Sequence, residues 1–345
     1  MLIIDGSLGE GGGQMLRTSV ALSAVTGKAV RIDNIRSKRT PPGIMPQHLS
    51  AVNAVAQLCG AETDGASVGS MELEFFPHRL SGGKINIDVG TAGSVTLVLQ
   101  ALMIPAAFAS EKVRIDLRGG TDVSWSPSID FLKHVTLPIL RKFGYLGDIK
   151  LLARGYYPAG GGRIEMEIRP ARRLSPVYIH EPGKIVSAGG VSHAHKGLER
   201  SSVARRQAKA ARTILYDRLA KAGYSGRLDV ACEYVDTRSF GSGITLWVET
   251  ENSVYGSDAL GSQGKRSEAV GAEAASRLVS EIDSSAPLDR HMGDQIVPYL
   301  ALAGGSVCVS VVTGHTETNV DLMRAFGLDI SIHGNTIKAS GGRFI

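Results

Sequence analysis

The chain has 345 residues, 43% of them apolar and 21% charged, which excludes an intrinsically disordered protein and leaves room for two globular domains. A net charge of +5 permits an anionic partner such as nucleic acid without requiring one. The three cysteines, Cys59, Cys232 and Cys308, are too scattered for a disulfide framework or a zinc site. No apolar run reaches the ~18 residues of a membrane span, and no leader pattern precedes the first strand. We therefore expect a cytoplasmic protein with no membrane partner.

A glycine-rich loop between a strand and a helix is the first candidate site. The apolar segment Leu2-Ile3-Ile4-Asp5 runs into Gly6-Ser7-Leu8-Gly9-Glu10-Gly11-Gly12-Gly13, and a helix is predicted from Gln14. Glycine lets a ligand approach the backbone, and the free N–H groups of a helix start attract anions. The spacing matches neither a P-loop nor a dinucleotide-binding turn, and Glu10 would repel a phosphate unless a metal ion lay between them. A tight connector is the alternative interpretation.

An internal repeat organises most of the chain. Ile4-Asp5 matches Ile87-Asp88, and Val30-Arg31-Ile32-Asp33 matches Val113-Arg114-Ile115-Asp116, both at a separation of 83 residues. Apolar periodicity and glycine stops predict helices over 14–25, 47–58, 94–109 and 129–142 and strands over 71–75 and 163–168. A similar pattern closes the chain, with helices over 295–302 and 319–325 and strands over 307–312, 330–332 and 336–339.

Residues 186–281 interrupt this pattern. They are predicted to form a basic helix over 198–221, strands over 227–234 and 243–249, and a helix over 268–282. The expected class is therefore α/β (α+β). Three β-α-β-α-β-β repeats would occupy residues 1–183 and 284–345, and a smaller α/β domain would be inserted at 184–283.

Polar groups suited to phosphate chemistry recur along the repeats, and each also has a structural interpretation. Arg36-Ser37-Lys38-Arg39 precedes Gln47-His48 at a helix start, which suits an anion site but is also typical of a solvated basic loop. Arg17 and Gln100 are related by the repeat and lie on mostly apolar helices, where each needs either a hydrogen-bonding partner or a ligand. The basic residues of the helix over 198–221 fit a solvated face or contact with a nucleic-acid backbone.

Two more clusters lie near the C-terminus. His291-Met292-Gly293-Asp294-Gln295 opens a predicted helix, and capping by Asp294 is its simplest interpretation. Thr313-Gly314-His315-Thr316-Glu317-Thr318-Asn319 follows a predicted strand. This places His315 in a glycine-containing loop, a position suited to a nucleophile.

Taken together, these segments resemble the RNA 3′-terminal phosphate cyclase family over nearly the whole chain. The motifs that carry the resemblance are Asp5-Gly6, Gly9-Glu10-Gly11-Gly12-Gly13-Gln14, Arg36 with Gln47-His48-Leu49, Gly93-Ser94 with Gln100, Gly119-Gly120-Thr121-Asp122, Gly155-Tyr156-Tyr157-Pro158-Ala159-Gly160-Gly161-Gly162, Asp294-Gln295 and His315. The resemblance implies three repeats like the C-terminal domain of translation initiation factor 3. It also implies ATP-dependent conversion of an RNA 3′-phosphate to a 2′,3′-cyclic phosphodiester.

The resemblance assigns roles to individual residues. His315 resembles the nucleophile that attacks the α-phosphorus of ATP and forms a histidine–AMP intermediate, from which AMP passes to the RNA end. Glu10 resembles the ligand of Mg²⁺ or Mn²⁺. The residues similar to the family's ATP-binding set are Glu10, Gln14, Gln100, Pro127, His291, Met292, Gly293, Asp294 and Gln295. Those similar to its binders of ATP or RNA phosphates are Arg17, Arg36, Arg39, Gln47 and His48.

Two positions depart from the family pattern, and two other functions stay open. Trp125, shortly before Pro127, stands where smaller residues are expected, and His291 stands where an aromatic residue is common, so the resemblance does not fix the details of the adenine pocket. A non-catalytic, cyclase-like RNA-binding factor in ribosome assembly would lack the histidine at position 315. An enolpyruvyl transferase would share only the repeat fold and would need no covalent histidine. A homodimer is a further expectation.

Overall fold

The computed structural model describes residues 1–171 and 173–342. Its first unit consists of β1 (Leu2–Asp5), α1 (Gly13–Thr26), β2 (Val30–Asp33), α2 (Pro46–Cys59), β3 (Glu62–Asp64) and β4 (Leu73–Phe76). The strands form one sheet in the order β1-β2-β4-β3, in which β1 and β2 are parallel. α1 and α2 end at Gly27 and Gly60, whose left-handed backbone stops each helix as the glycine pattern predicts.

The second unit repeats this connectivity with a modified second helix. It consists of β5 (Gly83–Asp88), α3 (Val95–Ala106), β6 (Val113–Gly119), α4 (Ile129–Phe131), a π-helical turn (Leu132–Thr136), α5 (Leu137–Lys142), β7 (Leu146–Ala153) and β8 (Gly162–Arg169). Its sheet has the order β5-β6-β8-β7. The strand β9 (Val177–Ile179) follows and was not predicted from the sequence.

The segment after β9, residues 185–283, is called the inserted segment because it lies between β9 and the rest of the third unit, and it forms a sheet with two helices on one face. It consists of β10 (Ile185–His195), a 3₁₀ turn (Lys196–Leu198), α6 (Val203–Lys221), β11 (Leu228–Val235), β12 (Ser242–Thr250), β13 (Val254–Leu260) and α7 (Ser267–Asp283). The sheet order is β11-β10-β12-β13, and a separate apolar cluster lies between the sheet and α6 and α7. The predicted division at residues 183 and 284 stays a prediction.

The third unit begins with β9 and continues after this segment. Its remaining elements are α8 (Arg290–Ala303), β14 (Gly305–Cys308), α9 (Gly314–Ala325), β15 (Ile330–His333) and β16 (Thr336–Ala339). Its strand order is β9-β14-β16-β15, so within the described residues three sheets share one order. The predicted mixed α/β class is therefore confirmed.

The strand register shows a difference between the first two units. In the first unit Asp5 lies opposite Asp33, so a constant separation of 83 residues would pair Asp88 with Asp116. Instead Asp88 lies opposite Arg118, two residues further along β6. A shift of two residues keeps every side chain on the same face of the sheet, so the apolar pattern survives it.

Helix starts in the third unit differ from the prediction. α8 begins at Arg290 and its N-cap is Asp289, not Asp294, which lies inside the helix. α9 begins at Gly314, so His315 occupies its first turn rather than a loop. Both helices start before the residues that show apolar periodicity. Asp289 and Thr313 allow this because they are N-caps whose side chains accept hydrogen bonds from backbone N–H groups.

The helices of the three units pack against one another. α1 contacts α3 and α9, and α3 contacts α8, while the sheet β10–β13 rests on α4 and the π-helical turn. The N-terminal ends of several helices therefore converge beside the inserted segment. None of the helices in the described residues has the length and apolar character needed to cross a bilayer.

Candidate active site

A cleft of about 1390 Å³ opens where these helix ends converge, and it extends to β13 and α7. Most of the sequence-predicted site residues line it: Glu10, Gln14, Arg17, Arg36, Arg39, Gln47, His48, Gln100, Pro127, His291, Asp294, Gln295 and His315. Met292 and Gly293 lie behind the cleft wall, since Met292 is fully buried and Gly293 faces Val309. The fold thus brings both ends of the chain to one cavity.

His315 faces the glycine-rich loop across the cleft. Its Nε2 atom lies 3.1 Å from Oε2 of Glu10, and both side chains are about half-exposed. Thr313 fixes the helix start, because its Oγ1 accepts a hydrogen bond from the Thr316 N–H at 3.1 Å. The imidazole is therefore held at the start of α9, with Nε2 directed toward Glu10.

Asp294 supports this arrangement from α8. One carboxylate oxygen accepts hydrogen bonds from the hydroxyls of Thr313, at 2.5 Å, and Thr316, at 2.7 Å. The Asn319 side chain donates to the backbone carbonyl of Asp294 at 3.0 Å. Burial raises the pKa of Asp294, although hydrogen bonds from the two threonines oppose the effect. The first turn of α9 is thereby fixed to α8.

Arg17 supplies a buried positive charge to the cleft. Only 9% of the residue is exposed, and burial lowers the pKa of its guanidinium to about 10, so it stays protonated at neutral pH. No carboxylate among the described residues pairs with it. An unpaired buried cation is costly, and an anion in the cleft would offset that cost.

His48 lies beside Arg17 as a neutral imidazole. Burial, together with the charges of Arg17 and Arg36, lowers the pKa of His48 to about 3. Its Nδ1 accepts a hydrogen bond from the Met45 N–H at 3.2 Å, so the ring proton is on Nε2. That N–H lies against Gly13, where a Cβ atom would come within 2.1 Å of Nε2. The absence of a side chain at Gly13 therefore leaves the space that the imidazole occupies beside the loop.

The other predicted phosphate binders are partly engaged by the protein. Arg36 donates through one terminal nitrogen to the carbonyls of Pro41, at 3.0 Å, and Gly43, at 2.8 Å. Gln47 accepts from the Ser94 N–H at 3.0 Å through its carbonyl oxygen, which leaves its amide N–H groups for a ligand. Arg39 lies 3.7 Å from the Glu10 carboxylate. These contacts hold cationic and donor groups along one side of the cleft.

Aromatic and apolar groups also line the cleft, among them Phe131 and Pro127. His291 meets Phe131 edge-on, with ring centroids 6.1 Å apart. The Pro127 carbonyl accepts from the Thr96 hydroxyl at 2.8 Å, and Gln295 accepts from the Thr136 hydroxyl at 2.9 Å. A flat apolar group fits between such surfaces better than a phosphate does.

Comparison with known proteins identifies the family. The model of a family described as RNA 3′-terminal phosphate cyclase matches residues 8–332. The chain belongs to this family. A relative of that name from Pyrococcus furiosus is 46% identical over 342 residues, covering 99% of this chain and 96% of the relative. Another, from Methanosarcina mazei, is 44% identical over 364 residues, covering 100% of this chain and 99% of the relative.

A solved structure of the enolpyruvyl transferase NikO from Streptomyces tendae is only distantly similar to this member of the cyclase family. It aligns at 12% identity with a TM-score of 0.38, covering 99% of this chain and 48% of that one. This similarity is too low to indicate a shared fold.

The donor set of this family member fits a hard divalent cation at one place. Glu10 presents a half-exposed carboxylate close to Arg39, in the part of the cleft that also carries Arg17 and Arg36. Mg²⁺ is commonly held by one or two carboxylates together with substrate phosphates and water. Glu10 therefore fits as the protein ligand of an ion that arrives with a phosphate-bearing substrate.

Sequence reasoning missed several residues that shape the site. Thr313 and Asp289 are the true caps, and a Thr or Asp just before the periodic run was the signal that could have located them. Asn319 joins α9 to α8 and to Thr18, and no local pattern indicates such a contact. Trp125 borders the cleft and was noted only as a departure from the family pattern.

Proposed function

We propose that the protein converts an RNA 3′-phosphate to a 2′,3′-cyclic phosphodiester, using ATP and a covalent histidine–AMP intermediate. The observation that carries this proposal is His315 with its Nε2 facing Glu10, in a cleft that also holds the unpaired cation Arg17. Family membership and the names of the relatives support RNA as the substrate. We also infer that the three units of equal strand order are repeats of the type in the C-terminal domain of translation initiation factor 3.

In the first step, Nε2 of His315 attacks the α-phosphorus of ATP. The nitrogen–phosphorus bond forms as the bond to the bridging oxygen breaks, and pyrophosphate leaves with the electron pair. Nε2 must be unprotonated at that moment, so the ring proton lies on Nδ1. Neutral imidazole is available for this role near pH 7.

In the following steps, AMP is transferred and then released. An oxygen of the RNA 3′-phosphate attacks the AMP phosphorus, and the bond to His315 breaks. The neighbouring 2′-hydroxyl then attacks the RNA phosphorus and loses its proton, and AMP leaves as the ring closes. Each attack produces negative charge on oxygen, which fixed cations stabilise because they need no reorganisation.

The cationic side of the cleft would hold the phosphates during these steps. Arg17, Arg36 and Arg39 provide guanidinium groups, and His48 provides a neutral N–H donor. Glu10 would hold Mg²⁺ or Mn²⁺, which offsets charge on the triphosphate. Pro127 and His291 would border the adenine, with Gln14, Gln100, Asp294 and Gln295 completing the nucleotide pocket.

The proposal is tested by labelling the chain with ATP that carries a label on its α-phosphate. The protein is mixed with this ATP and Mg²⁺, denatured and examined for retained label. We expect an acid-labile, alkali-stable label that His315→Ala abolishes. His333→Ala is a matched control, because His333 is exposed at the end of β15, and it should keep the label. Absence of label from the folded wild-type protein over several metals would instead favour a non-catalytic RNA-binding factor.

A further inference from the structure

Trp125 presents its indole to solvent at the edge of the cleft. It is 98% exposed and yet belongs to the residues that border the cavity. The only other tryptophan in the sequence, Trp247, stacks on His134 with ring centroids 4.1 Å apart. An indole in solvent gains nothing from hydrophobic burial, so packing does not explain Trp125.

The backbone at Trp125 is also unusual. Its φ of +66° lies in the left-handed region, which a bulky side chain rarely adopts. Strain of this kind persists where the surrounding structure enforces it, and it clusters at ligand sites. The strain and the exposure together point to a role in binding.

Hydrogen bonds on both sides hold the loop that carries Trp125. The Ser126 hydroxyl donates to the Val123 carbonyl at 2.9 Å, which closes the turn. The Thr96 hydroxyl donates to the Pro127 carbonyl at 2.8 Å. The Ser128 N–H donates to the Asp258 carboxylate, on the inserted segment, at 2.9 Å. The indole therefore projects from a fixed support that joins α3 to β13.

The position of the indole indicates which of the two proposed substrates, ATP or RNA, it can contact. Half-buried Pro127, and His291 with its ring against Phe131, line the cleft, which has room for a whole ATP molecule. An RNA inserts only its 3′ end, so the rest of the strand must leave through the mouth. The almost complete exposure of Trp125 places it at that mouth. The indole thus lies where bases of the strand pass, outside the pocket proposed for adenine.

We infer that Trp125 stacks on a base of the RNA near its 3′ end, an inference that rests on the proposed function. Aromatic side chains bind single-stranded nucleic acid by stacking, and such contacts tolerate any base because every base has a π-face. Trp125 therefore favours binding of a phosphate at the end of an RNA strand over binding of free phosphate. It takes no part in the attack of His315 on ATP.

Fluorescence provides the first test, because the chain has two tryptophans and one of them is already stacked. A single-stranded RNA with a 3′-phosphate is added to His315→Ala protein without ATP, and indole emission is recorded. We expect quenching by the RNA and none by an ATP analogue with an uncleavable α–β bridge. The same experiment in a Trp125→Phe background should show no quenching, since only Trp247 emits.

Steady-state kinetics provide the second test. Loss of one base–aromatic stack corresponds to a rise in the RNA KM of about 5- to 150-fold in Trp125→Ala. Trp125→Phe should restore most of the affinity because phenylalanine also stacks. Formation of histidine–AMP should keep its rate and its ATP dependence in both variants.

The outcomes separate this inference from the proposed function. Quenching by the ATP analogue, or an unchanged RNA KM in Trp125→Ala, would overturn the stacking assignment. A wild-type protein that forms no histidine–AMP would overturn the proposed function instead. RNA-dependent quenching is measured without ATP and is therefore still readable in that case.

Discussion

The side chains of Arg17, Arg36 and Arg39 concentrate positive charge in one part of the cleft, although carboxylates such as Asp294 line other parts of it. Arg17 is buried, and no carboxylate within residues 1–171 and 173–342 pairs with it, while Arg36 and Arg39 lie close enough to affect one another. The pKa of Arg36 is lowered by burial and by the charge of Arg39. His48 avoids adding a further charge because its own pKa is depressed to about 3. The set is unfavourable for the free protein and favourable for binding an anion.

Arg17→Met should therefore stabilise the protein while weakening its function. Replacing an unpaired buried charge by an apolar side chain of similar length removes a desolvation cost. We therefore expect the free energy of unfolding to rise by about 1–3 kcal/mol. Histidine–AMP formation should need much more ATP. Urea denaturation and labelling kinetics measure the two effects. Arg227→Met is the control, because the Arg227 side chain is 85% exposed and its loss should change neither quantity.

Helix ends and their caps connect the elements around the cleft. Asp289 caps α8 by accepting from the N–H groups of His291, at 3.0 Å, and Met292, at 2.8 Å. Its second oxygen accepts from the Gly256 N–H of β13 at 3.0 Å, so one carboxylate joins the third unit to the inserted segment. Burial raises the pKa of Asp289 to about 6, from an ordinary 3.8.

This raised pKa predicts how stability depends on pH. Between about pH 4 and pH 6 the folded state binds more protons at Asp289 than the unfolded state does, so the stability contributed by this residue falls as pH rises. Asp289→Asn cannot titrate. The free energy of unfolding of the wild type, minus that of Asp289→Asn, should decrease over this interval. Urea denaturation at several pH values measures the difference, and a constant value would contradict the predicted titration.

A buried ionic network forms a second connection to the inserted segment. Arg154 pairs with Asp122 at 3.2 Å, with Asp130 at 2.8 Å and with Glu233 of β11 at 3.0 Å. His193 lies 3.3 Å from the Asp122 carboxylate. Burial alone would raise the pKa of Asp122, but His193 and Arg154 outweigh it and hold that pKa below its ordinary value. Asp122, Asp130 and His193 are near enough to one another to share a metal ion, yet the guanidinium of Arg154 already pairs with both carboxylates.

Arg154→Met should be strongly destabilising. It leaves buried carboxylates without their cation, a change that costs about 3–5 kcal/mol. Arg163→Met is the matched control in the same unit, because its pair with Asp116 is partly exposed and should contribute only about 0–1 kcal/mol. Equal losses of unfolding free energy in the two variants would show that the network contributes no more than a surface pair.

At the scale of the whole molecule, three sheets of equal strand order carry the helices whose ends form the cleft. The periodic helices and their glycine stops were predictable because 3.6-residue periodicity and left-handed glycines are local signals. The missed strands β9 and β10 pair with strands that are distant in sequence, which a local pattern does not reveal. The missed strand β13 forms a hairpin with β12, and its sequence lacks a regular alternation of apolar residues. Within the site, Glu10 and His315 were predictable from motif resemblance. Asp289 and Asn319 were not, because their contacts join elements far apart in sequence.

The unpaired charge of Arg17 has a consequence for how the protein behaves in a cell. Any phosphate-bearing molecule that fills the cleft relieves repulsion among the guanidinium groups, and it binds only the folded chain. Ligands of this kind shift unfolding by mass action, by about 2.7 kcal/mol at a hundred times the dissociation constant. The melting temperature should then rise with the concentration of nucleotide or RNA ends. The concentration of substrate would thereby govern how long each molecule of the protein stays folded.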